Sequence, residues 1–326
     1  MTRIAVIDDW QGVARSSADW SALMSRAEVT FFEEALRGPE LVASALQPFD
    51  VLVLMRERTH FPASLIERLP NLRMIAVTGA RTWTLDTAAC TARGIVVSHT
   101  GGQQSTAATA ELTLGLLLAA TRRIPRADAT IRAGGFQGGV PPGFILEGRT
   151  LGIIGLGKIG SKMASYGQAL GMNLLAWSPN LTAEKAQAAG ARLSDKATLL
   201  EQSDIVTLHV VLSERSRGLL GAQDLARMKP GAILVNSSRG PLVDEDALIA
   251  AVKSGRLIAA LDVYGQEPLP HDHPLRSLPN AVLTPHLGYC TSEVYAQFYG
   301  DSVENVTAYL NGKPIRVLNP EVLEKR

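Results

Sequence analysis

The stretch LGIIGLGKIG, residues 151–160, decides how the chain is read. An apolar, strand-like LGII runs straight into Gly155, Gly157 and Gly160, and a helix-like SKMASYGQAL follows. Each glycine has its own reason to be there. The first permits a tight turn, the second lets a pyrophosphate approach the backbone, and the third allows helix and strand to touch. The phosphates of a dinucleotide then sit on the free amides of the helix N-terminus. A glycine-rich turn with no ligand is the alternative. The preceding strand, the following helix and a second strand, NLLAW (173–177), at the expected distance argue against it.

Working outward, short aliphatic runs alternate with longer segments of helical spacing. Before residue 100 these runs are RIAVI (3–7), VTFF (29–32), VLVLM (51–55), RMIAV (73–77) and GIVVS (94–98). After NLLAW come DIVTLHV (204–210), AILVNS (232–237), IAALDV (258–263) and AVLT (281–284). Nearly continuous apolar runs suit parallel strands covered on both faces, and strand–helix alternation implies doubly wound α/β sheets. Between the two sets, STAATAELTLGLLLAATRR predicts a long helix capped by Ser105 or Thr106 and buried between domains or subunits. A domain change falls near 100–105. The stretch EVYAQFYGDSVENVTAYLNGKP (293–314) reads as a helix stopped by Asn311, Gly312 and Pro314.

Composition excludes several classes. A chain of 326 residues with 46% hydrophobic and 19% charged residues has room for two cores. A net charge of +1 gives no reason to expect nucleic acid or an anionic membrane as partner. Neither MTRIAVIDDW nor LTLGLLLAA (112–120) reads as a signal peptide or a membrane span. Two cysteines, Cys90 and Cys290, fit a reduced, cytoplasmic protein. His271 and His273 in HDHP have no third ligand at metal spacing, so a solvated loop and no metal are expected.

In open parallel sheets, chemistry gathers beyond the carboxyl ends of strands. ILVNSSRGPLVDEDAL places Arg239 there, ahead of a helix that Asp244 can cap. AALDVYGQEP offers Asp262 and Glu267, and VLTPHLGY offers His286. Singly, each has an ordinary reading as a loop cation, a turn acid or a satisfied histidine. Together, after a dinucleotide turn, they match hydride transfer to a keto acid. A guanidinium forks onto the carboxylate and polarises the carbonyl, and an imidazole oriented by a carboxylate moves the hydroxyl proton.

At this point the chain resembles the D-isomer-specific 2-hydroxyacid dehydrogenase family over essentially its whole length. The matching pieces are LGIIGLGKIG, AWS (176–178), MKPGAILVNSSRGPLVDEDAL, AALDVYGQEPLP and LPNAVLTPHLG. The resemblance implies Arg239, Glu267 and His286 as the catalytic trio and Asp262 as a contact for the nicotinamide. It extends the cofactor set to Lys158, Ile159, Ser178, Thr109, Val210, Ser238 and Gly288. It further implies a Rossmann cofactor domain (102–289) inserted in a flavodoxin-like substrate domain (1–101 with 290–326), an active site in the cleft between them, and a homodimer.

Departures from the family pattern bear on specificity. VTGARTWTLD (77–86) aligns with the substrate loop, which gives Ala80 and Arg81 the substrate carboxylate; glycine is frequent where Arg81 stands. LMRERTHFPASLI (54–66) resembles the phosphoglycerate dehydrogenase branch, with Arg56 facing a substrate phosphate, although no room for a regulatory domain is expected. Val211 replaces a usual proline. Ser178 occupies the place of the acid that binds the adenosine ribose and repels a 2′-phosphate, so NAD or NADP is expected, with a lean to NADP. A dinucleotide-sensing corepressor-like protein on the same fold is the alternative to an enzyme. A formate-type dehydrogenase fits less well, because that class pairs its histidine with glutamine. Small acids such as glyoxylate and hydroxypyruvate are the default substrates.

Overall fold

The apolar runs form strands because every residue in them can be buried. Val51–Leu54 and Ile233–Asn236 are buried at all four positions, as parallel strands with helices on both faces require. The computed structural model describes residues 1–80 and 83–324, and the chain divides into two compact units.

The first unit joins residues 1–104 to 290–326. Its strands are β1 (Thr2–Val6), β2 (Ala27–Phe31), β3 (Val51–Leu54), β4 (Met74–Val77) and β5 (Val96–His99). They form a parallel sheet in the order β2-β1-β3-β4-β5, the flavodoxin-like arrangement. Successive connections leave β1 in opposite directions, which opens a crevice between β1 and β3 at their carboxyl ends. Asp8 (φ +61°) and Arg56 (φ +52°) lie at that edge in left-handed backbone. The long Ser292–Leu310 helix belongs to this unit and ends at Asn311, with Gly312 at φ +73°.

Residues 105–289 make the second unit. β6 (Thr150–Ile154), β7 (Asn173–Trp177), β8 (Arg192–Leu193), β9 (Ile205–Leu208), β10 (Ile233–Asn236), β11 (Ile258–Leu261) and β12 (Ala281–Leu283) pair in the order β12-β11-β10-β9-β6-β7-β8. All pairs are parallel. This is the doubly wound Rossmann order with one added strand, and its direction changes between β6 and β9. β8 was not predicted: it has two residues, both exposed, and so no apolar run to signal it.

The Ser105–Thr121 helix packs on β10, β11 and the Lys158–Ala169 helix, a burial within its own unit. Ser105 is its first residue rather than its cap. His273 departs from the solvated reading of HDHP. Its Nδ1 accepts the Leu275 N–H at 3.4 Å and its Nε2 lies 3.6 Å from Glu245. Among the described residues, no group of three or more His, Cys, Asp or Glu gathers as for a metal ion. Among them too, no helix is long and apolar enough to cross a membrane. Both cysteines are thiols, and burial pushes that of Cys90 up to about 12.

Asp8 gives the first unit a pH signature. Burial outweighs the Thr59 hydroxyl (2.9 Å) and nearby Arg58, raising its carboxyl to about 6. The folded chain therefore holds this proton to higher pH than the unfolded chain, and stability falls as pH rises from about 4 to about 6. The charged form costs about 3 kcal/mol. Asn tolerates left-handed backbone, so Asp8→Asn is expected to unfold at a higher temperature than the parent at pH 8 and at the same temperature at pH 4. Thermal unfolding across pH checks this; a difference that does not vary with pH would contradict it.

Candidate active site

The glycine turn sits where the strand order reverses. β6 ends at Ile154, and Gly155 adopts φ +99° while donating its N–H to the Trp177 carbonyl. A Cβ on Gly155 would lie 2.7 Å from the His209 carbonyl group, beyond β9. On Gly160 it would lie 2.1 Å from the Gly155 carbonyl oxygen, so helix and turn touch backbone to backbone. Gly157 differs: nothing lies within 4 Å of where its Cβ would be. It caps the 12-residue Lys158–Ala169 helix without any side-chain hydrogen bond. Open space above uncapped helix amides suits a pyrophosphate. Gly157 and Lys158 are exposed, and Ile159 is half-buried.

Ser178 follows Trp177, the register partner of Ile154, and so lies beside the Gly155 turn. It is half-buried, with no carboxylate in the acid's place. Of the two cations downstream, Arg192 donates to Gln202 at 3.0 Å, and Lys185 is exposed on the Ala183–Ala188 helix. Val210 flanks Gly155, and its carbonyl accepts the Ser238 hydroxyl at 2.7 Å. Thr109 and Gly288 adjoin: a Cβ on Gly288 would lie 3.3 Å from the Thr109 methyl. The expected cofactor residues of the second unit thus lie past the carboxyl ends of β6, β7, β9, β10, β11 and β12, with Thr109 on the Ser105–Thr121 helix.

The three expected catalytic side chains rise from the same edge. Arg239 follows β10 on a loop braced by Asn236, whose side chain accepts the Ser238 N–H (3.0 Å) and donates to the Arg239 carbonyl (2.9 Å). Gly240 then presses against the next loop, with its Cβ position 2.0 Å from the Tyr264 carbonyl carbon. His286 has left-handed backbone (φ +57°), and its N–H closes back on the Thr284 carbonyl at 3.0 Å. That turn aims Nδ1 at Glu267, where Oε2 lies 2.5 Å away. The other Glu267 oxygen accepts the Tyr264 N–H at 3.0 Å. With Nδ1 committed to a carboxylate, Nε2 is the nitrogen left to exchange a proton. Tyr289 meets the imidazole edge-on at 6.0 Å.

Asp262 is fully buried. Its Oδ1 accepts the Thr284 hydroxyl and the Leu287 N–H, both at 2.7 Å, and its Oδ2 accepts the Gly288 N–H at 2.9 Å. Burial nevertheless raises its carboxyl above the ordinary range. Every one of these bonds goes to the His286 turn. The bracing roles of Asn236, Thr284 and Tyr264 went unread in sequence. Only Asn236 left a signal there: an Asn just ahead of Ser and Arg marks an Asx-type turn.

On the first unit, Ala80 is exposed just past β4, and Trp83 is 67% exposed. Arg81 lies outside the described residues. Arg56 is drawn against the start of the same loop, its Nη1 2.4 Å from the Cβ position of Gly79.

Known proteins similar to this chain share one family. A family model described as D-isomer specific 2-hydroxyacid dehydrogenase, NAD binding domain, matches residues 114–288. A D-3-phosphoglycerate dehydrogenase from Archaeoglobus fulgidus is 39% identical over 81% of this chain and 50% of its own. A glyoxylate reductase from Aeropyrum pernix is 37% identical over 88% of this chain and 87% of its own. The chain thus spans about half the length of the phosphoglycerate dehydrogenases it matches and most of the glyoxylate reductases. The crystal structure of a phosphoglycerate oxidoreductase from Vibrio cholerae superposes with a TM-score of 0.90 at 38% identity, covering 96% of this chain and all of that one.

The glycine geometry separates folding from binding. Gly157→Ala is expected to leave thermal unfolding within about 2 °C of the parent while weakening dinucleotide binding roughly tenfold or more, as calorimetry would read. Gly160→Ala meets the Gly155 carbonyl and is expected to destabilise the protein outright. Unchanged affinity in Gly157→Ala would contradict a pyrophosphate at this turn.

Proposed function

The chain belongs to the D-isomer-specific 2-hydroxyacid dehydrogenase family, and from that premise we propose that it interconverts a small 2-oxo acid and its D-2-hydroxy acid using a nicotinamide dinucleotide. The observation that carries this reading is the His286–Glu267 contact of 2.5 Å, on the same sheet edge as the open Gly157 amides. The bound dinucleotide supplies or accepts the hydride. Arg239 forks onto the substrate carboxylate and polarises the carbonyl, and His286 donates the proton that the new alkoxide needs. Glu267 orients the imidazole and offsets its positive charge. Asp262 holds the turn and lies beside Gly288 and Thr109, toward the nicotinamide end. On the first unit, Ala80 and Arg81 hold the substrate carboxylate.

Ser178 supports use of both dinucleotides, with a lean to NADPH, because no carboxylate repels a 2′-phosphate. A phosphorylated substrate of the phosphoglycerate type is the second reading, favoured by Arg56 lying against Gly79 of the expected substrate loop. A homodimer is also proposed. The Ile124–Arg132 helix buries none of its residues, and Ile131, Phe136 and Ile145 are exposed in and after it. The working compartment proposed is the cytoplasm.

Steady-state assays with NADH and NADPH against glyoxylate, hydroxypyruvate and 3-phosphohydroxypyruvate test the whole reading. His286→Ala is expected to lower kcat by roughly 100-fold or more, and Arg239→Lys to lose activity through the missing fork. Near-parental turnover in His286→Ala would overturn the mechanism, and binding without turnover of any acid would favour a corepressor-like protein. A preference for NADH above roughly 100-fold would overturn the cofactor lean, whereas Ser178→Asp is expected to create such a preference.

A further inference from the structure

Tyr264 lies between Asp262 and Glu267, and no step above uses its side chain. Its ring is buried at 7% exposure within the second unit's core. From there it meets each of the three loops that carry Arg239, Glu267 and His286. Its backbone carbonyl is the surface on which Gly240 rests, one residue after Arg239. Its N–H holds Glu267 Oε1 at 3.0 Å. Its hydroxyl donates to the Thr284 carbonyl at 2.9 Å, the same oxygen that accepts the His286 N–H. Burial raises the phenol above its ordinary range, so the hydroxyl stays a donor throughout the working pH range.

The geometry matters because the imidazole has two supports of different kinds. Asp262 fixes the flanks of the turn through Thr284 Oγ1, Leu287 and Gly288. The Thr284 carbonyl fixes its apex, and with it the left-handed φ that turns His286 toward Glu267. That carbonyl is oriented by Tyr264, the residue whose N–H orients Glu267. One residue therefore acts on both ends of the 2.5 Å contact, on Glu267 through its backbone N–H and on the His286 turn through its hydroxyl. Phenylalanine at this place would fill the same space and keep the backbone bond to Glu267, but it would release the apex.

We propose that Tyr264 is a positioning residue for the His286–Glu267 pair, its hydroxyl holding the Thr284 carbonyl so that Nδ1 stays on the carboxylate. This rests on the dehydrogenase reading above only for its effect on turnover. The test is Tyr264→Phe in the full chain, alone and combined with Glu267→Gln, followed in two ways. The first is the far-downfield proton resonance of the short Nδ1–Oε2 hydrogen bond, assigned by its loss in Glu267→Gln and read in the free protein. It is expected to move upfield and broaden in Tyr264→Phe. The second is glyoxylate reduction by NADH. There kcat is expected to fall roughly 5- to 10-fold with KM little changed, and less than twofold further in the Glu267→Gln background, since a residue acting through the pair has nothing left to position.

An unchanged resonance, or equal losses in both backgrounds, would overturn the proposal. So would loss of cooperative unfolding or of dinucleotide binding in Tyr264→Phe, which would mark the hydroxyl as a structural strut. If the parent protein does not reduce glyoxylate or any other 2-oxo acid, the dehydrogenase reading fails, and the resonance alone still decides the role of Tyr264.

Discussion

The buried carboxylate of Asp262 is the interaction on which the arrangement at the sheet edge depends. A carboxylate accepts from several donors at once, and here three donors from one five-residue turn converge on it. Such a group is costly to bury unless its lone pairs are met, so the bonds to Thr284, Leu287 and Gly288 are what permit the burial. In return, the turn after β12 is anchored to the end of β11 by bonds shielded from water. His286 can then hold a backbone conformation that a non-glycine residue adopts only when its surroundings impose it.

The two sheets apply one rule twice. In each, the chain leaves its first strand in opposite directions, so the carboxyl ends of two neighbouring strands part and leave a crevice. In the second unit that crevice is floored by Gly155 and Gly160, whose missing side chains let backbones approach more closely than any Cβ would allow. In the first unit the same place holds Asp8 and Arg56 in left-handed backbone, with Thr59 bridging to the Asp8 carboxylate. Strained backbone and polar side chains gather where the sheet offers no further strand to satisfy them.

Much of this was legible in the amino-acid order. Parallel strands read as apolar runs because both faces are covered, and the runs fell on β1–β7 and β9–β12 within a few residues. β8 escaped because two exposed residues carry no pattern. The cap expected at Ser105 or Thr106 fell on residues already inside the helix, which begins at Ser105, a scale on which propensity is silent. His273 was taken for a solvated residue, since nothing local announces that Glu245, 28 positions earlier, faces it at 3.6 Å. Around the trio, residue types and order were enough to propose the chemistry, while the braces were not visible.

The amino-acid order by itself determined the alternation of strands and helices, the doubly wound class, the glycine-rich turn between strand and helix, and the chemical types of Arg239, Glu267 and His286. These follow from local periodicity and from what each side chain can do. Tertiary structure alone decided that Nδ1 of His286 meets Glu267 at 2.5 Å. It alone decided that the Arg239, Glu267 and His286 loops all meet on Tyr264. The reason is one of range. Those relations join residues from different crossovers of the sheet, and only the register of β10, β11 and β12 sets which loop ends stand side by side.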